Sequence, residues 1–146
     1  MASSAGGDDA VGVPAVRVRL DESAASGLAH IVQQYLEQDL ADVDRKRRLA
    51  ARLRGRVAMT ASDHDVTVTL AFDGAEIVIF DGPRPPLDAS IAGPHAALVR
   101  LLQGEAHPLV EHLRGRLRVR AKLRHLLLPL RLHHLVRLAP GDAHGR

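Results

Sequence analysis

Nine histidines, the run Ser62-Asp63-His64-Asp65 and an arginine alternation at Arg116, Arg118 and Arg120 are the parts of this chain that could do chemistry. Histidines hold a metal most readily as pairs one helical turn apart, and no His-x-x-x-His occurs. His133 and His134 are adjacent, so on a helix their rings diverge by about 100°. His107 and His112 come nearest to a ligand spacing, and the other histidines are scattered. No metal site and no cofactor are expected. Ser62, Asp63 and His64 carry the residue types of a nucleophile triad, but sequence neighbours in a turn do not orient one another. Asp63 and Asp65 read as turn-shaping residues. There is no Gly-x-Ser-x-Gly elbow, phosphate loop or dinucleotide fingerprint, so no catalytic residue is assigned and an enzyme is not expected. The arginines differ. On a strand, Arg116, Arg118 and Arg120 share one face about 7 Å apart, a spacing that could meet phosphates or anionic headgroups. A solvated sheet face carries charge as well.

Composition narrows the partners. The 146 residues include two Phe, one Tyr and no Trp, which leaves little to stack on bases. Without cysteine, disulfides and thiolate metal sites are excluded. No run approaches the ~20 apolar residues of a membrane span, and MASSAGGDDA is not a basic-then-apolar leader, so a cytoplasmic location is expected. The net charge of +3 hides a segregation. Residues 114–146 hold nine Lys or Arg and one acid, Asp142, whereas residues 1–113 hold eleven bases and sixteen acids. Such asymmetry suits an anionic lipid, a nucleic acid or an acidic protein.

The elements that must position these groups follow from periodicity. Residues 1–12 and 139–146 read as disordered tails around one domain at 13–138. Val13 to Leu20 alternates weakly. Asp21 or Ser23 could cap a helix with Leu28, Ile31, Val32, Tyr35, Leu36 and Leu40 on one face, and a second helical run extends to Leu53. Three strands follow: Val57, Met59 and Ala61 alternate in the first, and Val66, Val68, Leu70 and Phe72 in the second, with Thr67 and Thr69 on the opposite side. The third, Ile77 to Phe80, is apolar on both faces, so something covers its outer side. The leucine-rich end of the chain is the expected cover. Leu87 to Ala92 makes a fourth strand. Pro94 and Pro108 open short helices that end at Gly104 and Gly115, with Leu98, Leu101 and Leu102, then Leu109, Val110 and Leu113, as their apolar faces. Arg116 to Ala121 is the last strand. Leu126 to Leu138 should be bent by Pro129. The fold class is α+β, a mainly antiparallel sheet covered by helices.

This order, with the strings VTVTLAFDGAEIVIFDG, DASIAGP, LLQGEAHPLVEHL and GRLRVRAKLRHLLLPLRL, resembles the sterol carrier protein type 2 family from about Leu28 to Leu138. Gly104 and Gly115 match recurrent glycines of that family, while Ala121-Lys122 stands where it commonly has Gly-Asp. The resemblance implies non-enzymatic carriage of a sterol, fatty acyl or similar lipid in an apolar cavity between the sheet and the C-terminal helices. Leu70, Phe72, Ile79, Leu98, Leu101, Leu102, Leu109, Leu113, Leu126, Leu127, Leu130 and Leu135 are its expected lining. Arg116, Arg118, Arg120, Arg124 and Arg131 are the expected contacts to an anionic membrane surface. The alternatives are a basic nucleic-acid-binding module and an accessory domain that docks a partner protein through its leucine- and arginine-rich tail.

Overall fold

The computed structural model describes residues 15–42, 44–122 and 128–136. The expected tails, together with Leu126, Leu127 and Arg124, lie outside them. Six strands form one sheet in the order β1-β4-β3-β2-β5-β6: β1 Arg17–Leu20, β2 Gly55–Ala61, β3 Val66–Phe72, β4 Glu76–Asp81, β5 Ala89–Gly93 and β6 Arg118–Ala121. The meander β2-β3-β4 is antiparallel, as is β5 with β6; β1 runs parallel to β4, and β5 parallel to β2. The fold is α+β.

Among the described residues five helices complete it: α1 Gly27–Asp42, α2 Asp44–Ala50, α3 His95–Leu102, α4 Pro108–Leu113 and α5 Leu128–Val136. The inward residues of the sheet, among them Val57, Met59, Val68, Leu70, Ile77, Ile79 and Ile91, join one apolar cluster with Leu28, Val32 and Leu36 of α1. Leu98, Leu101 and Leu102 of α3 and Leu128, Leu132 and Leu135 of α5 belong to the same cluster. The three- and four-residue spacing of leucines on α1 and α3 thus delivers its apolar stripe to the sheet.

Two long-range contacts fix how the elements meet. Ser26, not Asp21 or Ser23, caps α1, its hydroxyl accepting the Ala29 N–H at 3.1 Å. Asp21 instead accepts the Ser23 hydroxyl and N–H. Asp81, at the end of β4, then accepts the N–H groups of Ala25 and Ser26 (2.7 and 3.1 Å) and the Ser26 hydroxyl at 2.6 Å. Burial pushes the Asp81 carboxyl up, but these three donors outweigh it and hold the group below its ordinary range. A carboxyl lowered in the folded state contributes stability above its unfolded value, about pH 3.9, and loses it as pH falls through the folded value. Asp81→Asn is therefore expected to lower the melting temperature at pH 7 and to flatten its decline below about pH 4. An unchanged acid limb in thermal melts would contradict this clamp. Gly93 provides the second contact. A Cβ there would lie 2.7 Å from the Arg116 carbonyl oxygen and 2.6 Å from Leu117 Cδ2, so β5 and the approach to β6 pass at a distance only glycine permits.

The structure corrects several expectations. The described part of the C-terminal segment, α5, packs among the other helices on the inner face and not over the outer face of β4. The loop after β4 covers the outer side instead. Thr69 is fully buried, its hydroxyl donating to Gly82 O at 2.8 Å and accepting the Arg84 N–H, and the Arg84 guanidinium sits 5.2 Å over the Phe80 ring. Arg56 fixes the loop by donating to the carbonyls of Arg84 and Pro85, both at 3.0 Å. Thr67 and Thr69 thus lie on the side opposite Leu70 and Phe72, as expected, with Thr69 covered by this loop. The second helical run stops at Ala50, short of Leu53. The bend expected at Pro129 falls where the preceding residues lie outside the described ones; within α5, Pro129 stands in the first turn, where its missing N–H costs nothing.

Candidate functional site

The site begins with α4, a helix of six residues. His107 caps it by accepting the Leu109 N–H on Nδ1 at 3.2 Å, and Pro108 supplies the preset first turn. The apolar residues of this helix were expected to form one face, with Leu109 and Leu113 lining a lipid site. Leu109, Val110 and Leu113 are 50%, 40% and 85% exposed, while Pro108 and Glu111 are buried. Glu111 explains the rotation. Its carbonyl accepts the N–H groups of Arg116 and Leu117 at 2.9 and 3.2 Å, and its carboxylate pairs with Arg116 at 3.4 Å. With less than two turns of helix, anchoring Pro108 and Glu111 inward turns Leu109, Val110 and Leu113 outward.

His112 then fastens α4 to the last strand. Its Nδ1 accepts the Val119 N–H at 3.1 Å and lies 3.3 Å from Leu117 O. Val119 and Ala121 occupy the inner face of β6, opposite Ile91 and Ala89 of β5. Across from them stand Pro129 and Leu130 of α5. Between α4, β6 and α5 lies a cleft of about 260 Å³ lined by Pro108, Leu109, His112, Val119, Ala121, Pro129 and Leu130. The polar side chain among its described lining residues is the His112 imidazole, already engaged with the backbone of β6. What remains is apolar surface open to an apolar guest.

Of the residues expected to line a lipid site, Leu109 and Leu130 border this cleft. Leu70, Phe72, Ile79, Leu98, Leu101, Leu102 and Leu135 are instead packed in the core cluster, and Leu113 projects outward. Val119 and Ala121 were missed as lining, although their alternation with Arg118 and Arg120 marked them as the buried side of β6. The arginine stripe is shorter than expected. Arg118 and Arg120 lie on the outer face of β6, whereas Arg116 precedes the strand and is held by Glu111. Arg131 is exposed on α5.

The other candidates come apart in different ways. Asp63 accepts the His95 N–H at 2.8 Å, which holds its carboxyl below the ordinary range, and the His64 ring packs edge-on against His95 with centroids 5.0 Å apart. Asp63 thus tethers the start of α3, and Ser62, His64 and Asp65 are exposed around it. His107, expected nearest to His112, instead meets His133 of α5 with ring centroids 4.5 Å apart, and His134 follows at 5.9 Å from His133. Among the described residues no group of three or more His, Cys, Asp or Glu side chains is placed to hold a metal ion. Nor is any described helix long and apolar enough to cross a membrane.

No family model matches the sequence, and no curated protein matches it. Solved structures do match. A UbiJ-SCP2 ubiquinone synthesis protein aligns at 14% identity over 75% of this chain and 92% of its own, with a TM-score of 0.59. Sterol carrier protein domain 2 of Helicoverpa armigera aligns at 13% identity over 80% and 98%, with a TM-score of 0.55. Palmitated SCP2L2 from Aedes aegypti aligns at 8% identity over 78% and 96%, with a TM-score of 0.52. The chain has the sterol carrier protein 2 fold.

Proposed function

We propose that the protein binds and carries a lipid whose acyl portion lies in the cleft between α4, β6 and α5. The observation that carries this reading is the lining itself: Pro108, Leu109, Val119, Ala121, Pro129 and Leu130 border an opening with no charged side chain among its described wall residues. Each methylene buried there is worth ~0.8 kcal/mol without any directional contact, which suits an unbranched chain. At about 260 Å³ the cleft is slightly smaller than the 300–1,000 Å³ common for enclosed small-molecule sites, which favours part of an acyl chain over a whole sterol. The shared fold supports the reading, since one of the proteins aligned above is a palmitated sterol carrier domain. Binding and release need no covalent step, so no residue is given a catalytic role.

The test is titration of a fluorescent fatty-acyl probe, alongside native mass spectrometry for co-purified lipid. Ala121→Trp places an indole where the chain would lie; excluding about two methylenes should weaken the probe about tenfold or more. Leu130→Ala widens the same cleft and should shift preference towards longer or branched chains. Probe affinity that is unchanged in both variants would refute the site. Wild-type binding should vary little with salt. Affinity for nucleic acid that collapses as salt rises, with no probe binding, would favour the nucleic-acid alternative.

A further inference from the structure

We infer that the exposed face of α4 is a docking knob that inserts into an anionic lipid bilayer and brings the mouth of the cleft against it. Leu113, Val110 and Leu109 are the described large hydrophobic residues left exposed, and all three lie on this helix of six residues. The exposure follows from the rotation fixed by buried Glu111 and its Arg116 partner, so the leucines are held outward by the fold.

Charge accompanies them. Residues 114–122 hold Arg114, Arg116, Arg118, Arg120 and Lys122 and no acid. Arg116 is engaged by Glu111, and Lys122 approaches Asp88 at 3.8 Å, leaving Arg114, Arg118 and Arg120 exposed for anionic groups. Arg114 directly follows Leu113 at the end of α4; Arg118 and Arg120 stand on the strand that α4 packs beside.

Aliphatic tips with Arg114 directly after them, and Arg118 and Arg120 on the outer face of the adjoining edge strand, match the boundary between acyl chains and anionic headgroups. A protein partner fits less well. Stable interfaces bury about 1,200–2,000 Å² and anchor on aromatic side chains, whereas three aliphatics on a helix of under two turns make a small patch with no aromatic. Continuity with the cleft also favours a bilayer. Leu109 borders the cleft and is half exposed, so inserting the knob would put the cleft's edge at the depth where acyl chains begin.

The purpose of this docking rests on the proposed lipid site, but its test does not. The full chain would be co-sedimented with vesicles of equimolar phosphatidylcholine and phosphatidylglycerol, and with vesicles of phosphatidylcholine alone. Binding to the anionic vesicles is expected, with weaker binding to neutral ones and a decline as salt rises. Val110→Asp with Leu113→Asp, neither residue lining the cleft, should abolish sedimentation while leaving the acyl probe bound. Arg114→Glu should weaken vesicle binding by about fivefold or more. Ala121→Trp should lose the probe yet still sediment, which separates failure of the cleft from failure of the knob. Vesicle binding that persists in the double aspartate variant would overturn the inference. So would concentration-dependent dimerisation that this variant abolishes without vesicle binding in the wild type, since the knob would then dock a second copy.

Discussion

Replacing Lys46 with alanine is expected to cost about 3–5 kcal/mol of folding stability, a large share of the roughly 5–15 kcal/mol typical of a domain. Lys46 sits in a basic run that looks solvated, yet it is 2% exposed and its ammonium lies 2.8 Å from Asp39 on α1. Among the described residues the other Asp39 carboxylate oxygen, Oδ2, is buried without a hydrogen-bond partner. Burial raises the Asp39 carboxyl above its ordinary range despite the hydrogen bond and charge of Lys46. Removing the lysine strips away the group that opposes this rise and leaves an uncompensated buried carboxylate. The sign with pH follows. A carboxyl whose folded value is raised binds its proton more readily in the folded state, so stability falls as pH rises from the unfolded value through the folded one. The Lys46→Ala deficit should therefore be larger at pH 7 than near pH 4, because Asp39 is then neutralised. Asp39→Leu combined with Lys46→Met removes both charges and should be close to neutral or stabilising. Urea melts at the two pH values decide it: a deficit that grows towards acid would show that Asp39 is not the group left stranded.

This pair also shows where sequence reading stops. The stripe on α1 and the alternation in β2 and β3 were legible because the apolar residues recur at the period of their element and that face is the one buried. Lys46 was not legible. Its neighbours Arg45, Arg47 and Arg48 give the run a uniformly basic look, and it is the meeting of α1 and α2 that buries Lys46 against an acid of the other helix. The same holds for Asp81, which holds Ala25 and Ser26 just ahead of α1, 56 and 55 residues earlier in the chain, and for Arg84 and Arg56, which pull the loop after β4 across the outer face. These are polar contacts between elements distant in sequence, and no local period encodes them.

The candidate site was legible by halves for a related reason. Leucine recurrence identified Leu109 and Leu130, and the strand period marked Val119 and Ala121 as inward. Leucines are also what close a core, however, so residue type could not separate Leu98 or Leu135, which pack solid, from Leu130, which borders a cleft. On α4 the three leucine-like residues outvoted one glutamate on the helical wheel. The structure reverses that outcome because Glu111 binds both a following guanidinium and two following N–H groups, and a short helix has too little apolar area to resist.

Deleting residues 126–146 is expected to unfold the domain rather than merely open it. As a mere cover over the sheet, this segment could be removed with partial loss of structure and loss of lipid binding. As the helix α5 it contributes Leu128, Leu132, Leu135 and Val136 to the buried core and touches α1, α2, α3, α4, β5 and β6. Trimming one such leucine to alanine costs about 2–5 kcal/mol, so losing four buried aliphatic side chains together approaches or exceeds the whole stability of a typical domain. Circular dichroism of the truncated chain should show no cooperative thermal transition. Because a failure to fold says little about the cleft, Leu132→Ala provides the graded companion. Leu132 is buried in the core and does not line the cleft, so this variant should lose about 2–5 kcal/mol while still binding the acyl probe below its lowered melting temperature. A truncated protein that melts cooperatively would make α5 an appendage. The cleft would fall with it, since Pro129 and Leu130 form one of its walls.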